Sequence, residues 1–115
     1  MPYSFTATTD IQASTIVKFD EDGITTAQAK SDNLIGIAGT LGYCEGDTAD
    51  VYMTGERVEV VAGGAFSKGD MLTSDAQGKA VKADNTSNIV AIALDDAVEG
   101  DIVNVIVNIQ RIVSE

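Results

Sequence analysis

Glycine-centred turns at near-even spacing constrain this chain more than any other feature. They fall at Asp22-Gly23, Glu45-Gly46-Asp47, Gly55-Glu56, Gly63-Gly64, Lys68-Gly69-Asp70, Gln77-Gly78 and Glu99-Gly100-Asp101. Glycine supplies backbone freedom at a turn, and aspartate can bond the local N–H groups. Between the turns the period is two. Arg57-Val58-Glu59-Val60 alternates polar and apolar, as a half-buried strand does. The spans 14–19, 24–30, 34–39, 49–54, 70–74, 80–83 and 89–94 read as further strands. From Ile102 to Ile109, Val103, Val105, Val107 and Ile109 share one face and Ile102, Asn104, Ile106 and Asn108 the other, which predicts a strand covered on both sides. No stretch of ten or more residues carries a helical period. The expected fold class is all-β, a small barrel or sandwich of short strands.

The chain also repeats itself weakly. Shifted by 55, Asp20, Gly23, Asn33, Ile37 and Ala38 meet Asp75, Gly78, Asn88, Ile92 and Ala93. Shifted by 54, Glu45, Gly46, Asp47 and Val51 meet Glu99, Gly100, Asp101 and Val105. The glycines recur where a turn needs positive φ. Gly36 and Ala38 answer Ala91 and Ala93 on one strand face, and Ile35 and Ile37 answer Val90 and Ile92 on the other. This predicts two related β-units packed face to face. Residues 1–13 stand outside the repeat, so the expected division is an extended N-terminal arm, 1–13, and a single β-barrel-like domain, 14–115. A closed barrel leaves no edge for the arm to pair with. Its aromatics, Tyr3 and Phe5, together with Thr8 and Thr9, are therefore the expected anchors on a partner.

Composition excludes several function classes. The 115 residues suit one domain, and 44% hydrophobic content is not that of a disordered tail. Aromatics are only 5%, with no Trp, so the core must come from Val, Ile, Ala and Leu. The net charge of -11 argues against general nucleic-acid binding, which rests on cations neutralising phosphates. It also argues against anionic membrane surfaces. No apolar run approaches the ~20 residues of a membrane helix. The opening Met1-Pro2-Tyr3-Ser4-Phe5 has neither a basic nor an apolar leader region, so no secretory signal is expected. Cys44 is the only cysteine and is expected to be a packed or half-exposed thiol.

Catalytic equipment is not legible. There is no His, the usual general base. Asp20-Glu21-Asp22-Gly23 resembles part of a calcium loop but lacks its alternation and distal Glu, and reads as a hairpin turn. The three Gly-Asp pairs each precede a strand and read as turns. Gly36 to Gly42 has no following helix and no Lys, so it is no phosphate loop. No catalytic residue, metal site or cofactor is expected.

The second half carries a resemblance. Gly63-Gly64-Ala65-Phe66, Lys68-Gly69-Asp70, Asp75 and Gly78-Lys79-Ala80-Val81 are followed by Ile89 to Leu94 and a closing Gly100-Asp101-Ile102-Val103-Asn104-Val105. Together, over residues 33–107, they resemble tailed-phage capsid cement, or decoration, proteins, a family sometimes mislabelled as recombinases. The resemblance implies a structural virion protein, made in the host cytoplasm, that binds the major capsid protein on the outer surface of the shell and stabilises it. Tyr3, Phe5, Thr8 and Thr9 of the arm are then the expected contacts with the capsid. It implies no enzyme activity. It also implies self-association, with a homotrimer expected and a dimer as the alternative. The spare apolar face of Ile102, Asn104, Ile106 and Asn108 is the expected contact between copies. Two other readings stay open: a phage fibre or tail β-domain, and a lipoyl- or biotinyl-like carrier with Lys79 at its hairpin tip.

Overall fold

A computed structural model describes residues 3–29, 34–84 and 88–110. It contains ten strands: β1 (Tyr3–Thr6), β2 (Ile16–Asp20), β3 (Gly23–Thr26), β4 (Leu34–Ala38), β5 (Thr48–Tyr52), β6 (Arg57–Val61), β7 (Met71–Ser74), β8 (Ala80–Lys82), β9 (Ile89–Ala93) and β10 (Ile102–Gln110). Among the described residues there is no helix, hence none long and apolar enough to cross a membrane. Each expected strand is present. Met1, Pro2 and Asn33 lie outside the described residues.

The duplication is exact in topology. One sheet has the order β1-β5-β4-β2-β3 and the other β6-β10-β9-β7-β8, so adding five to each label converts the first into the second. All the strand pairs are antiparallel. The register repeats as well. Tyr3 and Phe5 stand opposite Val51 and Ala49, as Val58 and Val60 stand opposite Val105 and Val103. Isolated bridges recur at Ala7–Ile24 and Ala62–Ala80, and again at Ile11–Tyr43 and Phe66–Ala97. The two edges of each sheet thus meet at a single parallel bridge. The result is two curled, open five-stranded sheets packed as a sandwich, one of the two expected forms, and neither sheet closes into a barrel.

Residues 3–11 accordingly belong to the repeat and are not a free arm. Tyr3-Ser4-Phe5-Thr6 has the alternation of a strand and pairs along the edge of β5, whose N–H and C=O groups would otherwise lack partners. The Ala7 N–H donates to the Asp47 carbonyl at 2.9 Å, and the Ala7 carbonyl accepts from the Gly46 N–H at 2.8 Å. Ala7 and Ile11 are buried. The signal was faint because Ala7 and Ala62 are the only identity between residues 1–13 and their counterparts.

Two cores result. Ala7, Ile11, Val17, Ile24, Ile35, Ala38, Ala49 and Val51 form the first, inside the first sheet's curl. The second gathers residues of the second sheet, such as Val60, Leu72, Val90, Val105 and Val107, and adds Ile16, Leu34 and Ile37 from the first. An irregularity in the β2–β4 ladder, where Val17 pairs Gly36 but Lys18 pairs Leu34, breaks the alternation of β4. It sends Ile35 and Ile37 to different cores, although the sequence placed them on one face. Every residue of β4 is buried as a result.

The turns follow the reading of the Gly-Asp pairs. Asp47, Asp70 and Asp101 each accept, through Oδ2, from the N–H three residues earlier: Cys44 at 2.8 Å, Ser67 at 2.9 Å and Val98 at 3.0 Å. Gly46, Gly69 and Gly100 have φ near +90°. Gly23 differs from its repeat partner Gly78, because its φ is not positive. It is glycine because a Cβ there would collide with the Thr6 carbonyl oxygen, where β3 closes on β1. Asp20-Glu21-Asp22-Gly23 is a hairpin turn with Asp20 opposite Gly23. Cys44 is exposed and not packed, since its turn sits at the sheet's rim.

Candidate functional site

The expected copy contact lies on the outer face of the second sheet. On β10, Val105 and Val107 point into the core, so the opposite face looks outward. Ile102 is 60% exposed and Ile106 37%, with Asn104 and Asn108 half-buried beside them. The expectation that β10 is covered on both sides is therefore wrong for the single chain. Ile106 stands opposite Ile92, and Ile92 opposite Met71. Cross-strand partners share a face. Met71, Ile92 and Ile106 thus form an apolar row across three strands, with Arg57 opposite Ile106 at its end.

The same row exists in the first sheet. Ile16 pairs Ile37, and Ile37 pairs Tyr52. These are the repeat partners of Met71, Ile92 and Ile106, at shifts of 55, 55 and 54. In the first sheet the row is covered. Ile16 and Ile37 are fully buried in the core shared with the second sheet, and Tyr52 packs against it. Two hydrogen bonds tie this seam: Ile16 N–H to the Gly78 carbonyl at 2.7 Å, and Val61 N–H to the Ser14 carbonyl at 2.9 Å. The units therefore do not pack with equivalent faces together. The outer face of one meets the inner face of the other.

The expected partner anchors separate into two pairs. Tyr3, 59% exposed, and half-buried Phe5 line an open, mainly apolar hollow of about 480 Å³ with Met53 and Thr54. Phe5 also meets the exposed Phe19 edge to face, centroids 5.5 Å apart. Thr8 and Thr9 are engaged within the chain. The Thr8 hydroxyl donates to Asp20 Oδ2 at 2.6 Å, and the Thr9 and Thr25 hydroxyls share a 2.7 Å hydrogen bond. The Thr8 hydroxyl and the Glu21 N–H hold the Asp20 carboxyl below the usual carboxylate range. Tyr3 and Phe5 sit on the strand face that Val58 and Val60 occupy in the second unit. Sequence reasoning paired Ile92 with Ile37 but gave it no role, and did not single out Met71, Met53 or Phe19. Carrying the shift of 55 to Ile16 would have found Met71.

A second hollow, about 380 Å³, lies at the seam and is lined by Asp10, Gln12, Thr15, Thr26, Gln77 and Lys79. Its groups are amides, hydroxyls and one pair of opposite charges. Lys79 is half-buried, and its N–H donates to Asp75 Oδ1 at 3.0 Å. It is not at an exposed hairpin tip, which removes the geometry a carrier lysine needs. Among the described residues no group of three or more His, Cys, Asp or Glu could hold a metal ion.

Residues 1–109 match the family model of the phage cement protein. The chain belongs to that family. Its fold resembles the crystal structure of the head fiber gp8.5 N base in bacteriophage phi29, with a TM-score of 0.71 at 20% identity, over 99% of this chain and 98% of that one. No curated protein matches the sequence. The match of the cement family takes in residues 1–32, where the sequence resemblance was faint. That agrees with β1 being an integral strand of the first repeat.

Proposed function

We propose that this cement-family protein binds the major capsid protein on the outer surface of a tailed-phage shell and stabilises the particle as a homotrimer. It acts by binding, not catalysis. The observation that carries this reading is the family match over residues 1–109. An apolar outer row on an otherwise acidic chain supports it, because such a face suits contact with protein and not with nucleic acid. Binding only to the assembled shell raises its stability by mass action. Capsids lacking the protein, mixed with it, are expected to bind it on co-sedimentation and to release DNA at a higher temperature. Failure to co-sediment refutes the reading, and an unchanged release temperature refutes the stabilising role. The fold likeness to a head fiber base supports a second reading, the foot of a fibre. Electron microscopy of the native virion separates them: low knobs for cement, fibres projecting from a base for the other.

A further inference from the structure

We propose that copies of this chain join head to tail, the outer row of one chain's second sheet entering the aromatic hollow of the next chain's first sheet. The contact inside the chain is the template. There, the first unit's row, Ile16, Ile37 and Tyr52, packs into a core that contains Val58, Val60 and Val107 of the second unit. Each surface has a repeat counterpart left open. The row recurs as Met71, Ile92 and Ile106 on the second unit, with Met71 47% exposed. The receiving surface recurs on the first unit as Tyr3, Phe5 and Met53. Register fixes this equivalence: Tyr3 faces Val51 as Val58 faces Val105, and Phe5 faces Ala49 as Val60 faces Val103. Met53 answers Val107 at the shift of 54 that relates Val51 to Val105. These three line the apolar hollow of about 480 Å³.

A single chain therefore carries one unused copy of each half of an interface it already makes internally. Among the described residues nothing joins them, because the chain's own two units are already docked through the other pair. A second copy supplies both. Such a contact is heterologous, so it closes into a ring or runs on as a filament. A three-membered ring is the form that agrees with the proposed trimer, but the inference stands without capsid binding. Association works against a charge of -11 on every copy, so it is expected to tighten with added salt as that repulsion is screened.

Sedimentation equilibrium of the full chain tests this, with Met71→Lys on the row and Tyr3→Asp in the hollow. Both positions are exposed, and unchanged far-UV circular dichroism checks that both variants fold. Each is expected to weaken self-association at least tenfold. The equimolar mixture of the two is expected to form one-to-one pairs, because each retains the surface the other has lost. A face-to-face contact between two outer rows would leave Tyr3→Asp as tightly associated as the unsubstituted chain and give no mixed pairs of the two variants, which overturns the proposal. A chain that stays monomeric up to about 1 mM overturns it too. So does a Tyr3→Asp variant that loses only capsid binding, since the hollow would then belong to the shell.

Discussion

Ile37 and Ile92 are the same residue at equivalent repeat positions, and the fold treats them differently. Ile37 is fully buried between the sheets, whereas Ile92 is half-buried on the outer face. Replacing Ile by Ala removes three carbons, worth about 2.4 kcal/mol of transfer free energy at ~0.8 per methylene. At Ile37 the surroundings are packed on both sides, so a residual cavity adds about 1–2 kcal/mol, for a total near ~4. At Ile92 solvent fills the space, no closed cavity forms, and the loss is about 1 kcal/mol. The expected difference, ~3 kcal/mol, is a large part of a typical domain stability of about 5–15. Urea unfolding followed by circular dichroism measures it, because the chain has no Trp to report by fluorescence. Dilute protein keeps self-association out of the result, and a constant m-value keeps the comparison valid. Equal losses at the two positions would refute the claim that only the first unit's row is covered.

Gly23→Ala and Gly46→Ala separate two uses of glycine. The first forces a Cβ onto the Thr6 carbonyl and is expected to cost about 1–3 kcal/mol through displaced backbone. The second has open space around it but φ +91°, so about 1 kcal/mol of conformational strain is expected. Thermal unfolding ranks them, and the reverse order would refute the assignment. Thr8→Val removes the main hydrogen bond on Asp20, so its pKa should rise toward the ordinary ~3.9. A lowered native pKa gives stability that is present above the unfolded value and lost as pH falls through the native one. The variant should therefore lose less stability than the unsubstituted chain on acidification below about pH 4. Carboxyl titration by NMR reads the shift directly, and an unmoved Asp20 would contradict the assigned cause.

The sequence by itself determined the all-β class, nine of the ten strands, the Gly-Asp turns and the fact of duplication. Each is local or periodic: alternation over a few residues, a positive φ that glycine tolerates, a carboxylate that reaches the N–H three residues back. The tenth strand, β1, was missed although Tyr3-Ser4-Phe5-Thr6 alternates, because its repeat partner, Val58-Glu59-Val60-Val61, shares no identity with it. The surfaces were legible in part. Ile102, Ile106, Tyr3 and Phe5 could be picked out as spare apolar groups, but their use depends on what covers them. Only the tertiary structure decided that the Ile16–Ile37–Tyr52 row is buried while Met71–Ile92–Ile106 is open. The two rows have the same pattern, so no local signal distinguishes them. Burial of a sheet face is fixed by which other sheet packs on it, a contact between residues far apart in the chain. A single chain with two units has only one such junction to fill.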